Sequence, residues 1–308
     1  MIKVFIDGRE GTTGLRIDER LSNRADIEII RLDEAHRKDD AARKAALNSC
    51  DIAFLCLPDA AAISAVEMID NPNVRVIDAS TAHRTNPDWV YGLPELSAQQ
   101  FQKIKNAKRV AVPGCHASGF VALVKPLIDN GLISPDEKLC CHCVTGYSGG
   151  GKKMIAEYQS GERDFLLDAP RQYGITQMHK HLKEMKGITG LKNEPVFSPI
   201  VADFYSGMLM TVQLFCSQIK GTKEQICEVY KNLYTSPILK FNENIDQNGF
   251  LSAVALKQKD SMQVGVLGND ERILLVAVYD NLGKGASGAA VECMNIMTGN
   301  DTVLGLEL

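Results

Sequence analysis

The chain has 308 residues, 45% of them hydrophobic and 23% charged, with a formal net charge of −4 and a pI near 5.9. That length exceeds one compact core, so two domains are expected, and with no basic excess a nucleic-acid backbone is excluded as partner. No apolar run reaches membrane-spanning length, and the opening stretch has no basic flank before a long apolar segment, so the expected location is the cytoplasm, with no membrane partner and no export signal.

The first part alternates strand and helix. Ile2–Asp7 reads as a buried strand, Gly14–Leu21 as a helix and Ile27–Leu32 as a strand. Asp40–Leu47 is helical, Ile52–Leu57 is a strand stopped by Pro58, Ala60–Ile69 is a helix and Val74–Ala79 a strand. Arg109–Val112 adds a short strand closed by Pro113-Gly114. Short apolar runs separated by helices predict βαβ units and a parallel sheet. The rhythm changes after residue 114. A helix is predicted over His116–Asp129, ended by Asn130-Gly131. Longer strands follow at Leu139–Thr145, Met208–Phe215 and Ile273–Tyr279, and Ser287–Met297 reads as a last helix that returns to the first domain. The second domain is therefore of mixed α+β type.

Gly8, Gly11 and Gly14 follow the first strand and open a helix, with Thr12 and Thr13 between them. Glycines there permit a tight turn and let backbone N–H groups approach a diphosphate at the helix N-terminus. The spacing is G-x-x-G-x-x-G rather than G-x-G-x-x-G. The plain alternative is an ordinary strand–helix turn, and the position at the start of an α/β domain favours the dinucleotide. At the end of the second strand, Arg31 with Arg37 or Lys38 favours a 2′-phosphate and hence NADP, while Asp33 keeps NAD open.

Nine cysteines are scattered along the chain without paired spacing, so reduced thiols are expected. Cys115 stands apart. An apolar strand stops at Pro113-Gly114, and Cys115 then falls in the first turn of a helix. The positive end of that helix favours a thiolate, and its N–H groups can hold an oxyanion. The alternative is a small residue filling a tight turn. His179 and His181 are the candidate acid–base partners. On a regular helix, residues two apart point about 200° apart, so only one would face the thiol. If the helix starts only after His181, both face one pocket. Glu184 is placed to orient His181.

Gly146–Lys153 nearly matches a phosphate loop, but Lys153 stands where a hydroxyl would bind Mg²⁺. A triphosphatase is excluded, and an anion-binding loop with Ser148, Gly149 and Lys152 remains open beside a plain flexible turn. Cys140-Cys141-His142-Cys143 invites a metal reading, yet in a strand His142 points away from Cys141 and Cys143 and no second pair stands at zinc spacing, so no metal is expected. Arg84, beyond the fourth strand, is either a bidentate anchor for a carboxylate or phosphate or a surface arginine.

Taken together, Gly8–Gly14, Asp78–Arg84, Tyr91–Glu95, Val112–Gly119, Tyr147–Lys152, His179–Glu184 and Asn281–Gly288 resemble the short-form N-acetyl-γ-glutamyl-phosphate reductases of arginine biosynthesis along essentially the whole chain. Pro113–Gly119 and Asn281–Gly288 are the most specific segments. One position departs, since the family usually carries proline where Lys183 stands.

The resemblance implies the fold class of the aspartate-semialdehyde and glyceraldehyde-phosphate dehydrogenases: a Rossmann-type doubly wound parallel sheet in residues 1–113, with 286–308 packing back on it, and an α+β catalytic and oligomerisation domain in 114–285. It further implies NADPH as cofactor, N-acetylglutamyl phosphate as substrate, a homodimer or homotetramer, Cys115 as nucleophile, a histidine as assistant, and Asn281 near the nicotinamide. Another acyl-phosphate reductase, such as aspartate-semialdehyde dehydrogenase, and a non-catalytic NAD(P)-binding regulator are the rival expectations.

Overall fold

The computed structural model describes all 308 residues. The chain divides into two compact units. One comprises Met1–Pro94, Gln99–Pro113 and Ala286–Leu306. The other comprises Glu95–Ala98, Gly114–Gly285 and Glu307–Leu308.

In the first unit the short apolar runs become strands β1 (Ile2–Asp7), β2 (Ile27–Ile30), β3 (Ile52–Leu55), β4 (Arg75–Asp78), β5 (Val90–Tyr91) and β6 (Arg109–Ala111). They lie in the order β2-β1-β3-β4-β6-β5 with every pairing parallel. The crossovers are α1 (Thr12–Ser22), α2 (Asp40–Ser49), α3 (Asp59–Glu67) and α4 (Ala98–Asn106). Both sheet faces are covered, one by a core around Val4, Ile17, Phe54 and Val110 and the other by Phe5, Leu47, Leu55 and Val76. This is why β3 is buried at every position. The strand order turns back between β1 and β3, and in such sheets ligands bind beyond the carboxyl ends at that point. Helix α1 starts two residues ahead of the expected Gly14, because Gly11 is extended (φ −70°, ψ 162°) and serves as its N-cap.

In the second unit α5 (Cys115–Asp129) leads into β7 (Cys140–Gly146), α6 (Gly151–Gln159), β8 (Arg171–Gln172), α7 (His181–Thr189), β9 (Val196–Ala202), β10 (Met208–Phe215), α8 (Lys223–Leu233), β11 (Leu239–Phe241), β12 (Met262–Gly268) and β13 (Arg272–Tyr279). The sheet order is β11-β12-β13-β10-β7-β9-β8. It is mixed, with β7–β9 and β11–β12 parallel and the other pairs antiparallel. Helix α5 packs on β10 and β13 and is flanked by α7 and α8. Its Pro126 has no N–H for the carbonyl of Ala122 four residues back. The Tyr234 hydroxyl donates to that carbonyl at 2.6 Å, and the Tyr230 hydroxyl donates to the next one, of Leu123. The helix therefore runs through its proline with the exposed acceptor satisfied.

Helix α9 (Gly288–Thr298) belongs to the first unit, where Ala290, Val291, Met294 and Met297 join the core around β1 and β3. A π-helical turn over Gly283–Ser287 joins β13 to α9. Such turns are rare and concentrate at functional sites.

Candidate active site

Cys115 is the first residue of α5, and Gly114, extended before it, caps the helix without a side-chain partner. The backbone N–H of Gly114 donates to Glu184 Oε1 at 2.8 Å, and Ser118 returns two bonds to the Gly114 carbonyl. The peptide before the cysteine is thus fixed from both sides. First-turn N–H groups have no acceptor inside the helix, so the partial positive charge is directed at Cys115. The residue is partly exposed at a cavity of about 500 Å³ lined also by His116, Thr145, Gly149, Gly150, Tyr173, His179 and His181. Other cysteines sit in environments hostile to a thiolate. Burial pushes Cys50 up to about 12 and raises Cys56, Cys141 and Cys143 as well.

Helix α7 starts at His181, after Lys180 as N-cap. His179 therefore precedes the helix, and both histidines line the one cavity, with ring centroids 4.8 Å apart. Lys183, at the family's proline position, is an exposed first-turn residue of α7. The N–H of His181 donates to His179 Nδ1 at 3.3 Å, which leaves the His179 Nε2 as its proton carrier. Burial, and then the neighbouring Lys180, hold the His179 ring below the usual imidazole range.

His116 was not singled out by the sequence, yet it stands at the centre of this cluster. Its ring lies 5.7 Å from His179, 5.4 Å from His181 and 5.1 Å from Phe197. Nε2 is hydrogen-bonded to the Tyr173 hydroxyl at 2.6 Å, while Nδ1 is buried with no partner. Only 3% of the residue is exposed. Burial first, and then the charge of His179, push its pKa down to about 3.

That shift has a consequence for stability. An unfolded chain takes up this proton near pH 6.5 and the folded one does not, so stability is complete above pH 6.5 and falls as the pH drops toward 3. By pH 5 the loss from His116 alone amounts to about 2 kcal/mol. Urea titrations at pH 7 and pH 5 measure it, and His116→Asn should flatten the acid limb. An equally steep limb in that variant rules His116 out as the source.

Of the expected anion-loop residues, Gly149 and Gly150 line the Cys115 cavity. Ser148 is buried, and its hydroxyl accepts from Asn281 Nδ2 at 2.9 Å. Asn281 in turn accepts from the Gly207 N–H at 2.9 Å, so its amide locks the glycine loop to the start of β10. Helix α6 begins at Gly151 with Gly150 as an N-cap that offers no side-chain bond. Lys152 is exposed in the first turn of α6 and is not among the residues lining the cavity. Arg84, in the first unit, points its Nε at the Val112 carbonyl and its Nη2 at the Ala79 carbonyl, both at 2.9 Å. These two bonds tie the ends of β4 and β6 together. Nearby, His83 stacks on Trp89 and bonds to Asp78 at 2.6 Å, a buried brace of the same loop.

In the first unit a second cavity of about 510 Å³ lies at the carboxyl end of β1. It is lined by Asp7, Gly8, Arg9, Glu10, Arg31 and Arg37, among others. Gly8 has φ +82°, and a Cβ there would lie 2.3 Å from the Cys56 carbonyl oxygen. A Cβ at Gly14 would lie 2.5 Å from the Gly8 carbonyl oxygen. Only glycine closes this turn and leaves the N-terminus of α1 open, as a dinucleotide diphosphate requires. Thr12 and Thr13 form the first turn of α1. Asp18 bonds Arg9 at 2.9 Å and Arg31 at 3.0 Å, so two guanidinium groups are held at the cavity. Arg9 occupies a variable position of the glycine motif and carried no sequence signal. These residues fit NADP, with a glycine cradle for the diphosphate and cations for the 2′-phosphate.

Known families match both units of the chain. A family described as "Semialdehyde dehydrogenase, NAD binding domain" matches residues 12–104, and "Semialdehyde dehydrogenase, dimerisation domain" matches residues 115–281. A Burkholderia orbicola protein named N-acetyl-gamma-glutamyl-phosphate reductase is 42% identical over 96% of this chain and 97% of its own length. A Nostoc protein named N-acetyl-gamma-glutamyl-phosphate reductase 2 is 43% identical over 99% of each chain. In fold, the chain matches aspartate semialdehyde dehydrogenase II of Vibrio cholerae with a TM-score of 0.72 at 17% identity, covering 97% of this chain and 98% of that one. The Candida albicans aspartate semialdehyde dehydrogenase solved with NADP gives 0.69 at 14% identity, covering 97% and 98%. With this extent of identity over nearly its whole length and with both domain families matched, the chain belongs to the N-acetyl-γ-glutamyl-phosphate reductase family, on the semialdehyde dehydrogenase fold.

Proposed function

We propose that this enzyme reduces N-acetylglutamyl 5-phosphate to N-acetylglutamate 5-semialdehyde with NADPH, through a thioester on Cys115. The observation that carries the reading is Cys115 at the first position of α5, open to a cavity that holds three imidazoles and the amino-terminal loop of α6. The Cys115 thiolate attacks the acyl carbon. A C–S bond forms, the C–O bond to phosphorus breaks, and phosphate leaves. The oxyanion that appears on attack is held by first-turn N–H groups of α5. The loop Ser148–Gly151 at the start of α6 binds the phosphate, with Lys152 adding positive charge from the helix surface. We assign the acid–base role to His181, within 4.8 Å of the Cys115 sulfur through a ring nitrogen, and to His179 its orientation through the bond to the His181 N–H.

NADPH, when bound, supplies the hydride for the thioester carbon. Gly8, Gly11 and Gly14 with Thr12 and Thr13 hold its diphosphate, and Arg31, helped by Arg9 and Arg37, holds its 2′-phosphate. Asn281 keeps the Ser148–Gly149 loop in place beside the reacting carbon. Hydride addition leaves a thiohemiacetal oxyanion that His181 protonates. His181 then takes that proton back, the oxygen's electron pair re-forms the carbonyl, the C–S bond breaks and the thiolate returns. Pairing of two copies through the second unit is supported by exposed apolar side chains on it, Phe165 (78%), Ile175 (75%) and Met178 (86%), and by the dimerisation-domain match.

The test is the reverse reaction. The protein should reduce NADP⁺ with N-acetylglutamate semialdehyde only when inorganic phosphate is present, and aspartate semialdehyde should be a much poorer substrate. Arg31→Ala should raise the KM for NADP⁺ roughly 10- to 100-fold, the worth of a charge-assisted phosphate contact, and leave NAD⁺ use unchanged. Turnover without phosphate rejects the acyl-phosphate chemistry, and equal losses with both cofactors reject the role of Arg31.

A further inference from the structure

The Cys115 sulfur and one ring nitrogen each from His116 and His181 lie within 4.8 Å of one another. We propose that this trio is a site for a thiophilic divalent cation, zinc above all, which binds reversibly and switches the enzyme off.

The donor set decides the metal. One sulfur and two imidazole nitrogens suit zinc, whereas magnesium and calcium require oxygen. Three protein ligands with the cavity on the fourth side leave one position for water, the pattern of an accessible zinc site. Tetrahedral bond lengths place such ligand atoms roughly 3.3–3.7 Å apart, so the side chains must close by about 1 Å through rotation alone. The backbone beneath them is already fixed. Cys115 and His116 open α5, His181 opens α7, and the two helices pack together.

His116 supplies the independent observation. Its Nδ1 is buried without a partner, in a residue only 3% exposed. Its other nitrogen is held by the Tyr173 hydroxyl at 2.6 Å. A ligating histidine is oriented in this way, with one nitrogen on the metal and the other on a hydrogen-bonding group. The cysteine-rich strand β7 offers no competing site, since Cys141 and Cys143 are buried on one face and His142 pairs with Gln213 on the other. On binding, the thiol proton is released, a sulfur–metal bond forms and no electron is transferred. The lone pair that attacks substrate is then engaged, as is the His181 nitrogen. The inhibition rests on the catalytic reading of Cys115 given above, but the binding does not.

Cobalt titration of the chelator-treated protein tests the binding. One equivalent should produce the visible bands of tetrahedral cobalt and a near-ultraviolet thiolate-to-cobalt band. Cys115→Ala should abolish the latter. His116→Ala should weaken binding by about tenfold or more, and Tyr173→Phe, which leaves every ligand in place, by a similar factor. His142→Ala, outside the trio and paired with Gln213 on the far face of β7, should bind as wild type does. Zinc should displace cobalt, protect Cys115 from iodoacetamide and stop turnover until a chelator is added. A thiolate band that survives in Cys115→Ala, or wild-type affinity in both His116→Ala and Tyr173→Phe, overturns the site. Zinc bound at Cys115 with turnover intact overturns the switch. Normal cobalt spectra in a protein without reductase activity would uphold the site and reject the catalytic reading instead.

Discussion

Replacing Cys115 with alanine is expected to lower turnover by about 10⁴-fold or more, as for removal of the nucleophile from other covalent catalysts, with NADPH binding unchanged. The two halves of this expectation have separate causes. No other thiol can stand in. Cys141 and Cys143 lie on the neighbouring strand β7, but burial disfavours their ionised forms. The cavity proposed for NADPH is lined by Gly8, Arg9 and Arg31 of the first unit, whereas Cys115 belongs to the second. Alanine is also a good helix former, so the first turn of α5 should persist. Cys115→Ser separates nucleophile from shape, because it keeps a hydrogen-bonding group of similar size but a far weaker nucleophile. It should lose most of the same activity. Single-turnover kinetics and fluorescence titration of NADPH measure the two quantities. Turnover within tenfold of wild type in the alanine variant would end the thioester mechanism.

The sequence shows the elements whose causes are local. The Gly8–Gly14 loop was legible because a turn that close to the β3 carboxyl end excludes any Cβ. Cys115 was legible because Pro113-Gly114 ends a strand immediately before it. Strand β9 was not legible. Its apolar run is interrupted by Pro199, which is tolerated because the only strand beyond it is the two-residue β8. Strand β12 was hidden by Gly265 and Gly268, and its order comes from pairing with β11 and β13 on either side.

What the sequence leaves open within the site has one physical origin. A side chain's chemistry depends on partners that the chain brings from far away. His116 carries no signal of its own in the sequence, and it gains its unusual environment from partners such as Tyr173, 57 residues on. Arg84 meets backbone carbonyls of Val112 and Ala79 that the sequence does not reveal. Glu184 Oε1 takes the N–H of Gly114, a partner 70 residues away in the chain. The order of His179 and His181 was left open because helical periodicity cannot say where a helix begins. Packing begins it at His181, and that one boundary brings both rings to the cavity lined by Cys115.

Distance in sequence also conceals a buried structural ion pair. Lys284, in the π-helical turn after β13, is fully buried and lies 2.5 Å from Glu95, 189 residues away. Lys284→Met is expected to destabilise the protein by about 3–5 kcal/mol, because it leaves a buried carboxylate without its cation. For a unit of this size that corresponds to a fall in melting temperature of roughly 10 °C. Replacing both residues removes the uncompensated charge, so Lys284→Met with Glu95→Leu should recover most of the loss. Turnover should fall further than stability explains. The turn's Gly285 passes so close to the nucleophile that a Cβ there would lie 3.1 Å from the Cys115 Cβ, and the Gly285 N–H is anchored on the Asp280 carbonyl at 2.9 Å. Loosening Lys284 thus loosens the wall against which Cys115 is held. Melting curves of the two single variants and the double variant measure the coupling, and kcat at a temperature where all are folded measures the wall. If Lys284→Met melts with wild type, the pair contributes nothing to the fold. If the double variant recovers stability and full turnover together, the turn holds the fold but does not position the cysteine.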